Sequence, residues 1–485
     1  MSHNGNHHGM YSFPGKNVLN TMESFCKESY GQFGRMFRDL QPLYVKPKDL
    51  MGLGAVGGPM DSGNTQEFTA NVPLGMIFFG QFIDHDITFD TSSSFSNINN
   101  PNDISNTRTP KLDLDCIFGG GPEDEPFMYQ KETVGLYLLT GKTNNNSTQN
   151  ANLEKHDLPR TGKDVAIIGD PRNDENRIIS QLQLAMIRFY NAWYDEIKNN
   201  PLNSSLSPAD IYKEARKQTT WHYQWIVVNE FLPALCGQNI VSDILSNGRR
   251  CYLPVHSPYI PVEFSVAAYR FGHSMIAQKI KLQPAGALHN LFSNQIGLGF
   301  SKITNQNQVI DWDAFFNFSA VGFQKAEKLN SKLASDLLNL PFVPSPNPSD
   351  KSLAVRNLRR GQSFLLPSGE NVARSIGVSE PIIGQVKNLI NNYTSPLGID
   401  FTHGTPLWYY ILCEAEEIGR DEGNGVTLPG EGLGPVGARI VAEVILGLLE
   451  LDTDSYLGQN RDWSPAGGIY SMKDVIDKSL TAIEL

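Results

Sequence analysis

Residues 80–90 of this chain read GQFIDHDITFD, and no other stretch carries as much information. Its apolar residues recur at roughly helical spacing, which predicts a largely buried helix. Between them stand one imidazole, one amide and three carboxylates. Because charged side chains are buried only with partners or with a metal, we interpret the stretch as a functional site.

Helical geometry assigns these polar side chains to different neighbours. Gln81 and His85 are four residues apart, share one face of the helix and are predicted to point into one cavity. Successive residues diverge by a third of a turn or more, so Asp84 is expected at the edge of that cavity and Asp86 beside another partner. A lone His85 would more often be a core histidine with a satisfied partner, but its polar neighbours favour a site.

An acidic loop follows at residues 109–115, which read TPKLDLD. Alternate residues of an extended chain face the same side, so Asp113 and Asp115 are predicted to lie together. With the Thr109 hydroxyl, backbone carbonyls and Asp86 they form a plausible oxygen cage for calcium. The alternative is an ordinary polar loop that ends in the glycine-rich turn at 119–122, and the loop taken alone favours this alternative.

Several further motifs occur in a fixed order along the chain: IFGGGP at 117–122, GDPRNDEN at 169–176, WHYQW at 221–225, YRFGHS at 269–274, RNLRRG at 356–361 and TPLWYY at 405–410. Together with residues 80–86 this order resembles the animal-type haem peroxidases of the peroxidase–cyclooxygenase superfamily, in their bacterial-type form. The resemblance implies a mainly α fold, with one large helical domain built around a haem and few short strands. We expect this domain to cover residues 26–485, after a mobile tail at 1–25.

The resemblance also implies a role for each matching position. On the distal side of the haem these are His85, Gln81 and the distal arginine Arg172. On the proximal side His273 would be the axial iron ligand, and Asn357 would accept the proton of its second nitrogen. Asp84 and Glu175 stand where the family forms ester links to haem b, and the calcium positions are Asp86, Thr109, Lys111 (through its carbonyl), Asp113 and Asp115.

Three positions depart from relatives within this superfamily. Asn176 stands where the mammalian leukocyte enzyme has the methionine of a sulfonium link, so that link is not expected. Asp115 replaces a hydroxyl ligand, which is expected to add charge to the calcium site. Arg270, also assigned to the cofactor site, stands three residues before His273, where cyclooxygenase-like oxygenases have their radical tyrosine.

The residue types suit peroxide chemistry. A neutral imidazole such as His85 can take a proton from one peroxide oxygen and return it to the other. The Arg172 guanidinium can stabilise the negative charge that develops, although a surface ion pair with Asp170 or Asp174 is the simpler alternative for it. A neutral Asn357 gives the iron ligand less electron density than a carboxylate would.

Length and composition bound the remaining possibilities. The net charge of −11 argues against nucleic acid or an anionic membrane as partner, and no apolar stretch is long enough to predict a transmembrane helix. The N-terminus does not have the pattern of a secretory signal. Five cysteines at irregular spacing indicate free thiols: Cys26, Cys116, Cys236, Cys251 and Cys413. A cytoplasmic protein is the simplest expectation, with secretion by another route left open.

Apolar periodicity predicts three long helices, at 178–197, from Pro208 through Trp225 toward Leu232, and at 438–449. Polar, proline-rich or glycine-rich composition predicts connections at 142–163, 340–351 and 421–437.

Three functions follow from these observations. The first is a peroxidase that uses hydrogen peroxide and a ferryl intermediate to oxidise small anionic or phenolic donors, namely iodide, thiocyanate, bromide or phenols, with chloride disfavoured. The second is a haem-dependent fatty-acid dioxygenase that uses a tyrosyl radical; Arg270 argues against it, whereas Tyr269 keeps it open. The third is a haem- or calcium-bearing interaction module without chemistry. The oligomeric state is left open.

Overall fold

The computed structural model describes residues 31–63, 65–94, 97–131, 135–141, 151–255, 257–297, 299–319, 322–465 and 468–482. The predicted mobile tail at 1–25 and residues 142–150 of the predicted connection at 142–163 lie outside these residues. The α-helices of the described part are α1 (Pro47–Leu53), α2 (Leu74–Ile87), α3 (Asp115–Phe118), α4 (Ala151–Glu154), α5 (Arg177–Asn199), α6 (Pro208–Ile226), α7 (Leu232–Cys236), α8 (Gln238–Asn247), α9 (Pro348–Lys351), α10 (Leu353–Ser363), α11 (Gly369–Ser375), α12 (Glu380–Thr394), α13 (Leu407–Glu417), α14 (Pro435–Leu451), α15 (Tyr456–Gln459) and α16 (Met472–Thr481).

The strands are short, as predicted, and form small separate sheets. They are β1 (Gly31–Gly34), β2 (Phe68–Pro73), β3 (Ser105–Asn106), β4 (Ile260–Pro261), β5 (Lys279–Ile280), β6 (His289–Asn290), β7 (Lys325–Glu327), β8 (Arg420–Gly423) and β9 (Val426–Leu428). β1 lies between antiparallel β3 and parallel β4, and antiparallel pairs join β2 to β7, β5 to β6 and β8 to β9. The fold is therefore mainly α, as predicted.

The helix α2 contains the polar stretch and lies in the core. Every residue of it except Gln81 is buried, so the helix is enclosed by the protein on all sides. Phe79 and Phe82 each pack edge to face against Tyr223 of α6, with ring centroids 5.9 and 6.1 Å apart. Because α2 is enclosed, its three charged residues near the C-terminal end must find partners inside the protein.

All three predicted long helices are confirmed, with small changes at their ends. The helix predicted at 178–197 is α5, and the one predicted at 438–449 is α14. The helix predicted from Pro208 begins as α6, with Ser207 and Asp210 forming a capping box. It continues through a π-helical turn at Val227–Phe231 into α7.

Two segments contain structure that the sequence pattern did not indicate. The chain before His273 is not an α-helix, because a π-helical turn at Glu263–Ala267 is followed by a 3₁₀ helix at Ala268–His273. The predicted connection at 421–437 contains most of the β8–β9 hairpin, whose turn includes the left-handed residues Asn424 and Gly425. Short strands closed by a turn of this kind carry little apolar periodicity, so the pattern could not indicate them.

One hydrophobic core runs through the described residues, from Phe33 to Ile476. Four of the five cysteines, Cys116, Cys236, Cys251 and Cys413, are free thiols, as predicted; Cys26 lies outside the described residues. Within the described part of the chain, no helix combines the length and the apolar character that spanning a membrane requires.

Candidate active site

A central cavity with about 1220 Å³ of empty space, part of it open to solvent, lies beside α2. Its walls are mostly apolar, and its titratable side chains are few. Five of the predicted site residues line it: Gln81, Asp84, Glu175, Arg270 and His273. An apolar cavity with a few convergent polar groups is the usual form of a cofactor site.

One wall of the cavity carries an amide and a carboxyl group in contact. Gln81 Nε2 donates a hydrogen bond to Glu175 Oε1. Burial, together with the charges of Asp170 and Asp84, raises the pKa of Glu175 to about 8, although the Arg172 guanidinium and the hydrogen bond from Gln81 act in the opposite direction. The Glu175 side chain is therefore largely protonated at neutral pH. Asp84 accepts a hydrogen bond from the Thr88 hydroxyl at 2.8 Å.

His85 is completely buried and does not belong to the residues that line the cavity. Its Nδ1 lies 2.6 Å from Asn173 Oδ1. Asn173 Nδ2 in turn donates to Gln183 Oε1 at 2.8 Å, and Gln183 Nε2 donates to the carbonyl of Cys116 at 2.9 Å. This chain of amides directs the Asn173 oxygen toward His85, so Nδ1 carries the proton and Nε2 carries the lone pair of the neutral imidazole.

Arg172 lies directly beside His85. Its Nη2 donates to the His85 carbonyl at 2.9 Å, and its guanidinium stacks over Phe89 at 4.2 Å. The ion pair with Asp170 that was the alternative interpretation does exist, with Nη2 and Oδ2 2.8 Å apart, but it is buried rather than on the surface. Although burial alone would raise it, Arg172 and Arg108 hold the pKa of Asp170 well below its usual range.

The opposite group of site residues surrounds His273. Asn357 contacts His273 Nδ1 through its amide nitrogen. The prediction had the amide oxygen of Asn357 accept the Nδ1 proton instead. The Asn357 oxygen accepts from Arg270 Nη1 at 2.9 Å, and its Nδ2 lies 2.9 Å from His273 Nδ1. A guanidinium has donors only, so Arg270 attracts the amide oxygen and leaves the amide nitrogen to His273.

The 3₁₀ helix explains why Arg270 and His273 share this partner. In a 3₁₀ helix, residues three apart lie above one another, so both side chains reach Asn357. Tyr269 points elsewhere in the cavity wall, and its hydroxyl donates to the carbonyl of Gly80 at 3.2 Å. Tyr269 also stacks on Phe264, with ring centroids 4.6 Å apart.

Asp86, the residue after His85, lies against the acidic loop at residues 109–115. Carboxylate oxygens of Asp86, Asp113 and Asp115 all lie within 4.8 Å of one another. Burial raises the pKa of each of the three, to about 7 for Asp115, and mutual repulsion of the carboxylates adds to this for Asp86 and Asp115. Oδ1 of Asp86 is buried and accepts no hydrogen bond from the described residues, whereas Oδ1 of Asp115 is buried beside the Arg108 guanidinium. Such a cluster fits a hard cation.

The remaining predicted calcium residues are also close by. Thr109 Oγ1 donates to Asp113 at 3.0 Å, and the Lys111 side chain pairs with Asp452 at 2.6 Å, away from the cluster. Arg108 lies 3.1 Å from Asp115 Oδ1, so a positive charge stands beside the carboxylate that was expected to add charge to the calcium site. Sequence reasoning missed Arg108 and Asn173, although both lie within or next to motifs that it had singled out, and it named Asp170 only as a surface partner of Arg172.

Asn176 has a structural task. Its side chain accepts hydrogen bonds from the backbone N–H groups of Ile178 and Ile179, and so caps the N-terminus of α5. The residue also lines the cavity. Its short amide side chain offers no sulfur to a bound group.

Comparison with known proteins gives a consistent assignment. The sequence model of the family described as animal haem peroxidase matches residues 91–393, a range that includes Arg172, His273 and Asn357 and begins after His85. A dual oxidase of Drosophila melanogaster is 26% identical over 219 residues, which are 44% of this chain and 13% of that protein. The aligned segments of the curated relatives span between 13% and 30% of their lengths.

Solved structures share the fold at low sequence identity. Peroxidase A from Dictyostelium discoideum superimposes with a TM-score of 0.63 and 14% identity, over 94% of each chain. A fatty acid alpha-dioxygenase from Arabidopsis thaliana superimposes with a TM-score of 0.61 and 15% identity, over 94% of this chain and 78% of that one. At these identities the comparison establishes the fold alone.

Proposed function

Because the chain belongs to the animal haem peroxidase family, we propose that it is a peroxidase that uses hydrogen peroxide to oxidise small donors. The observation that carries this proposal is the central cavity, which is lined both by His273 and by the Gln81–Glu175 pair and lies beside buried His85. Family membership implies haem, and the apolar walls, the single histidine in the lining and the few convergent polar groups fit that group. Bound haem supplies the iron at which peroxide is split.

His85 is the proposed proton carrier. With Nδ1 bound to Asn173, the neutral imidazole presents a lone pair on Nε2. Such an imidazole takes a proton from one oxygen of hydrogen peroxide and returns it to the other, so that water can leave. Asn173 acts as a positioning residue, because it fixes the tautomer and the ring orientation.

Arg172 is the proposed stabiliser of the negative charge on the departing oxygen. Three observations support this role: its position beside His85, its burial, and a guanidinium Nη1 that has no hydrogen-bond partner among the described residues. Asp170 holds the guanidinium through Nε and Nη2 and keeps its orientation.

His273 is the proposed iron ligand through Nε2, with its orientation set by Asn357. A histidine bound to metal through Nε2 carries its proton on Nδ1 and needs an acceptor there. Haem binding therefore requires that Asn357 turn its oxygen from Arg270 to His273. The exchange is favoured if Arg270 finds an anionic acceptor in its place, and the haem itself carries carboxylate groups.

The proposed donors are iodide, thiocyanate, bromide and phenols. Chloride is disfavoured, because Asn176 cannot form the sulfonium link that its superfamily relative uses, and its amide is engaged in capping α5. A protonated Glu175 in the cavity wall adds no negative charge that would repel anionic donors near neutral pH.

Ester links from haem to Asp84 and Glu175 are part of the proposal, since both carboxyl groups line the cavity. After exposure to peroxide, haem is expected to resist extraction by acidified organic solvent. The double variant Asp84→Ala with Glu175→Ala should release it. Free extraction from the peroxide-treated wild-type protein would contradict the links.

A calcium ion is proposed at the cluster of Asp86, Asp113 and Asp115, with the Thr109 hydroxyl and the Lys111 carbonyl as further ligands. The buried Asp86 Oδ1, which accepts no hydrogen bond from the described residues, and the close approach of the three carboxylates support it. The ion would join the end of α2 to the acidic loop and so hold the backbone next to His85. Its role is structural, and loss of the ion is expected to loosen the distal pocket around His85.

The decisive experiment is a stopped-flow measurement on the haem-loaded protein, mixed first with hydrogen peroxide and then with iodide. A fast change in the haem absorption band that iodide reverses is expected, and His85→Gln should slow the first phase at least 100-fold. His222→Gln is a matched control, because this buried histidine contacts a backbone carbonyl in α6 and does not line the cavity. A band that peroxide leaves unchanged would contradict the proposal.

Fatty-acid oxygenation through a tyrosyl radical is the second candidate, and the position of Tyr269 favours it. This buried tyrosine lines the cavity four residues before His273. Loss of lipid oxygenation in Tyr269→Phe, with iodide oxidation unchanged, would establish the second activity. Oxygen uptake with fatty acid that is equal in Tyr269→Phe and wild type, or absent from both, would exclude it.

A further inference from the structure

Arg108 connects the acidic cluster to the distal arginine. Its Nη1 lies 3.1 Å from Asp115 Oδ1, its Nε lies 3.0 Å from Asp170 Oδ2, and its Nη2 donates to the carbonyl of Gly169 at 2.8 Å. Its side chain is 11% exposed, whereas the Asp170 side chain is inaccessible. Water and salt screen the interaction between charges this deeply buried much less than the interaction between surface charges.

These contacts continue to His85 and return to the cluster. Asp170 Oδ2, which lies next to Arg108, also accepts from Arg172 Nη2 at 2.8 Å, and Arg172 Nη2 donates to the His85 carbonyl. His85 is followed by Asp86, whose carboxylate belongs to the same cluster as Asp115. The path from Asp115 through Arg108, Asp170, Arg172 and His85 to Asp86 is therefore closed when a cation bridges the two end carboxylates.

We propose that Arg108 is a positioning residue that couples occupancy of the acidic cluster by a divalent cation to the hold that Asp170 has on Arg172. The inference rests on the proposed haem and calcium sites, and it adds a route between them. It assigns a task to a residue that contacts neither haem nor peroxide in the proposed function.

The direction of the coupling follows from the shared carboxylates. A cation at Asp115 takes up part of the charge that Arg108 otherwise neutralises, so Arg108 interacts more strongly with Asp170. Asp170 then offers less negative charge to Arg172, and the Arg172 guanidinium stabilises an anion in the distal pocket more strongly. Cation binding and anion binding should therefore reinforce each other, and the effect must be reciprocal.

The test measures binding rather than turnover. Cyanide is titrated into the ferric, haem-loaded protein with saturating calcium and again after chelation, and the ratio of the two dissociation constants reports the coupling. In the wild type, calcium should tighten cyanide binding at least about fivefold, the lower end of typical allosteric couplings. Terbium luminescence measures the affinity of the cation site with and without cyanide. Because the coupling is reciprocal, cyanide should tighten cation binding by the same factor.

Three variants test whether Arg108 must contact both Asp115 and Asp170 or only supplies a positive charge near the cluster. In Arg108→Gln the ratio should fall below about twofold. In Arg108→Lys it should fall similarly, because a single ammonium group cannot contact both carboxylates as the guanidinium fork does. Arg216→Gln is the matched control: it removes a positive charge that acts on Asp113 of the same cluster, but its side chain contacts Tyr212 and Phe118 and not Asp170, so it should keep the wild-type ratio.

Two results would overturn the inference. A wild-type ratio in Arg108→Gln would mean that any coupling passes through the backbone between Asp86 and His85, and a ratio near one in the wild type would mean that there is no coupling. If chelation releases haem, Asp113→Asn replaces chelation and the same criteria apply. If cyanide changes the haem spectrum of neither the wild type nor the variants, the proposed haem site itself is contradicted. This result differs from a loss of coupling, in which cyanide still binds but calcium has no effect on its affinity.

Discussion

At the scale of single residues, the hydrogen bonds of each histidine in the site depend on the other partners of the amide that it contacts. His85 Nδ1 is 2.6 Å from Asn173, and Asn173 is oriented by Gln183. Asn357 is shared between His273 and Arg270. The accepting oxygen of Gln183 leaves the Asn173 oxygen to His85, and the donor-only guanidinium of Arg270 leaves the Asn357 nitrogen to His273. The chemistry of each histidine therefore depends on a second residue that contacts no substrate.

Asn173 is predicted to set the rate of the reaction with peroxide. Asn173→Ala removes the acceptor of the His85 Nδ1 proton, so the imidazole loses its orientation and the rate constant should fall about 10- to 100-fold. Stopped-flow mixing of the haem-loaded protein with hydrogen peroxide measures it. Asn173→Asp keeps an oxygen at the same place and should retain most of the rate. Equal rates in wild type and Asn173→Ala would show that His85 does not depend on this contact.

Glu175 is predicted to make stability depend on pH. Its pKa is about 8 in the folded protein, against a usual value near 4.5, so the folded state holds its proton more tightly than the unfolded state does. The contribution of protonated Glu175 to the free energy of unfolding is therefore fully present below pH about 4.5, and it is lost as the pH rises through about 8. In haem-free protein, Glu175→Gln should lose less stability than wild type between these values in denaturant titrations. The same decline in both proteins would contradict the prediction.

At the scale of elements, the distal site is formed where two backbone segments touch. Asp170 caps the short 3₁₀ helix Pro171–Asp174, which carries Arg172. Just before it, Gly169 lies against the acidic loop, and a Cβ atom built on Gly169 would be 2.5 Å from the carbonyl oxygen of Asp115. This close approach allows Arg108 and Asp170 to meet. A side chain at position 169 would push the two segments apart.

Gly169→Ala is predicted to destabilise the protein by about 1–3 kcal/mol, the usual range for overpacking in a filled interior. Calcium affinity should fall as well, since the Asp115 backbone must shift. Gly162→Ala is the matched control, because a Cβ atom there meets no atom within 4 Å. Chemical denaturation and terbium titration measure the two effects. Equal midpoints for both variants would mean that the segments adjust without strain.

At the scale of the whole molecule, the cation site and the cavity share one helix. Asp86 of α2 belongs to the acidic cluster, and Gln81 and Asp84 of the same helix line the central cavity. The core helices α5 and α14 are buried over most of their length and make no contribution to the cluster. Loss of the cation should therefore act on the distal wall first.

Chelation of calcium is predicted to loosen the distal pocket before the protein unfolds. Hydrogen exchange should increase at residues 84–90 and 109–115 under conditions in which α14 stays protected, because local opening requires less free energy than global unfolding. Asp113→Asn should reproduce this pattern without a chelator. Simultaneous loss of protection in all three segments would indicate instead that the ion stabilises the fold as a whole.

The sequence by itself determined the elements and the inventory of the site. Apolar periodicity located α5, α6 and α14, and the motif order placed Gln81, His85, Arg172, His273 and Asn357 near one cavity. The helices follow from spacing along the chain, because helical periodicity converts apolar spacing into a buried face, whereas Arg172, His273 and Asn357 were assigned only by the resemblance to the family. The irregular turns before His273 and the β8–β9 hairpin have no such periodicity and were missed.

Only the tertiary structure decided how the polar groups are paired. The contacts of Arg108 with Asp115 and Asp170, of His85 with Asn173, and of Asn357 with Arg270 join residues that are distant in sequence or belong to different elements. Each pairing is the result of a competition among several nearby donors and acceptors inside a medium where no water can replace a lost partner. The outcome of that competition depends on distances in three dimensions, which spacing along the chain does not contain.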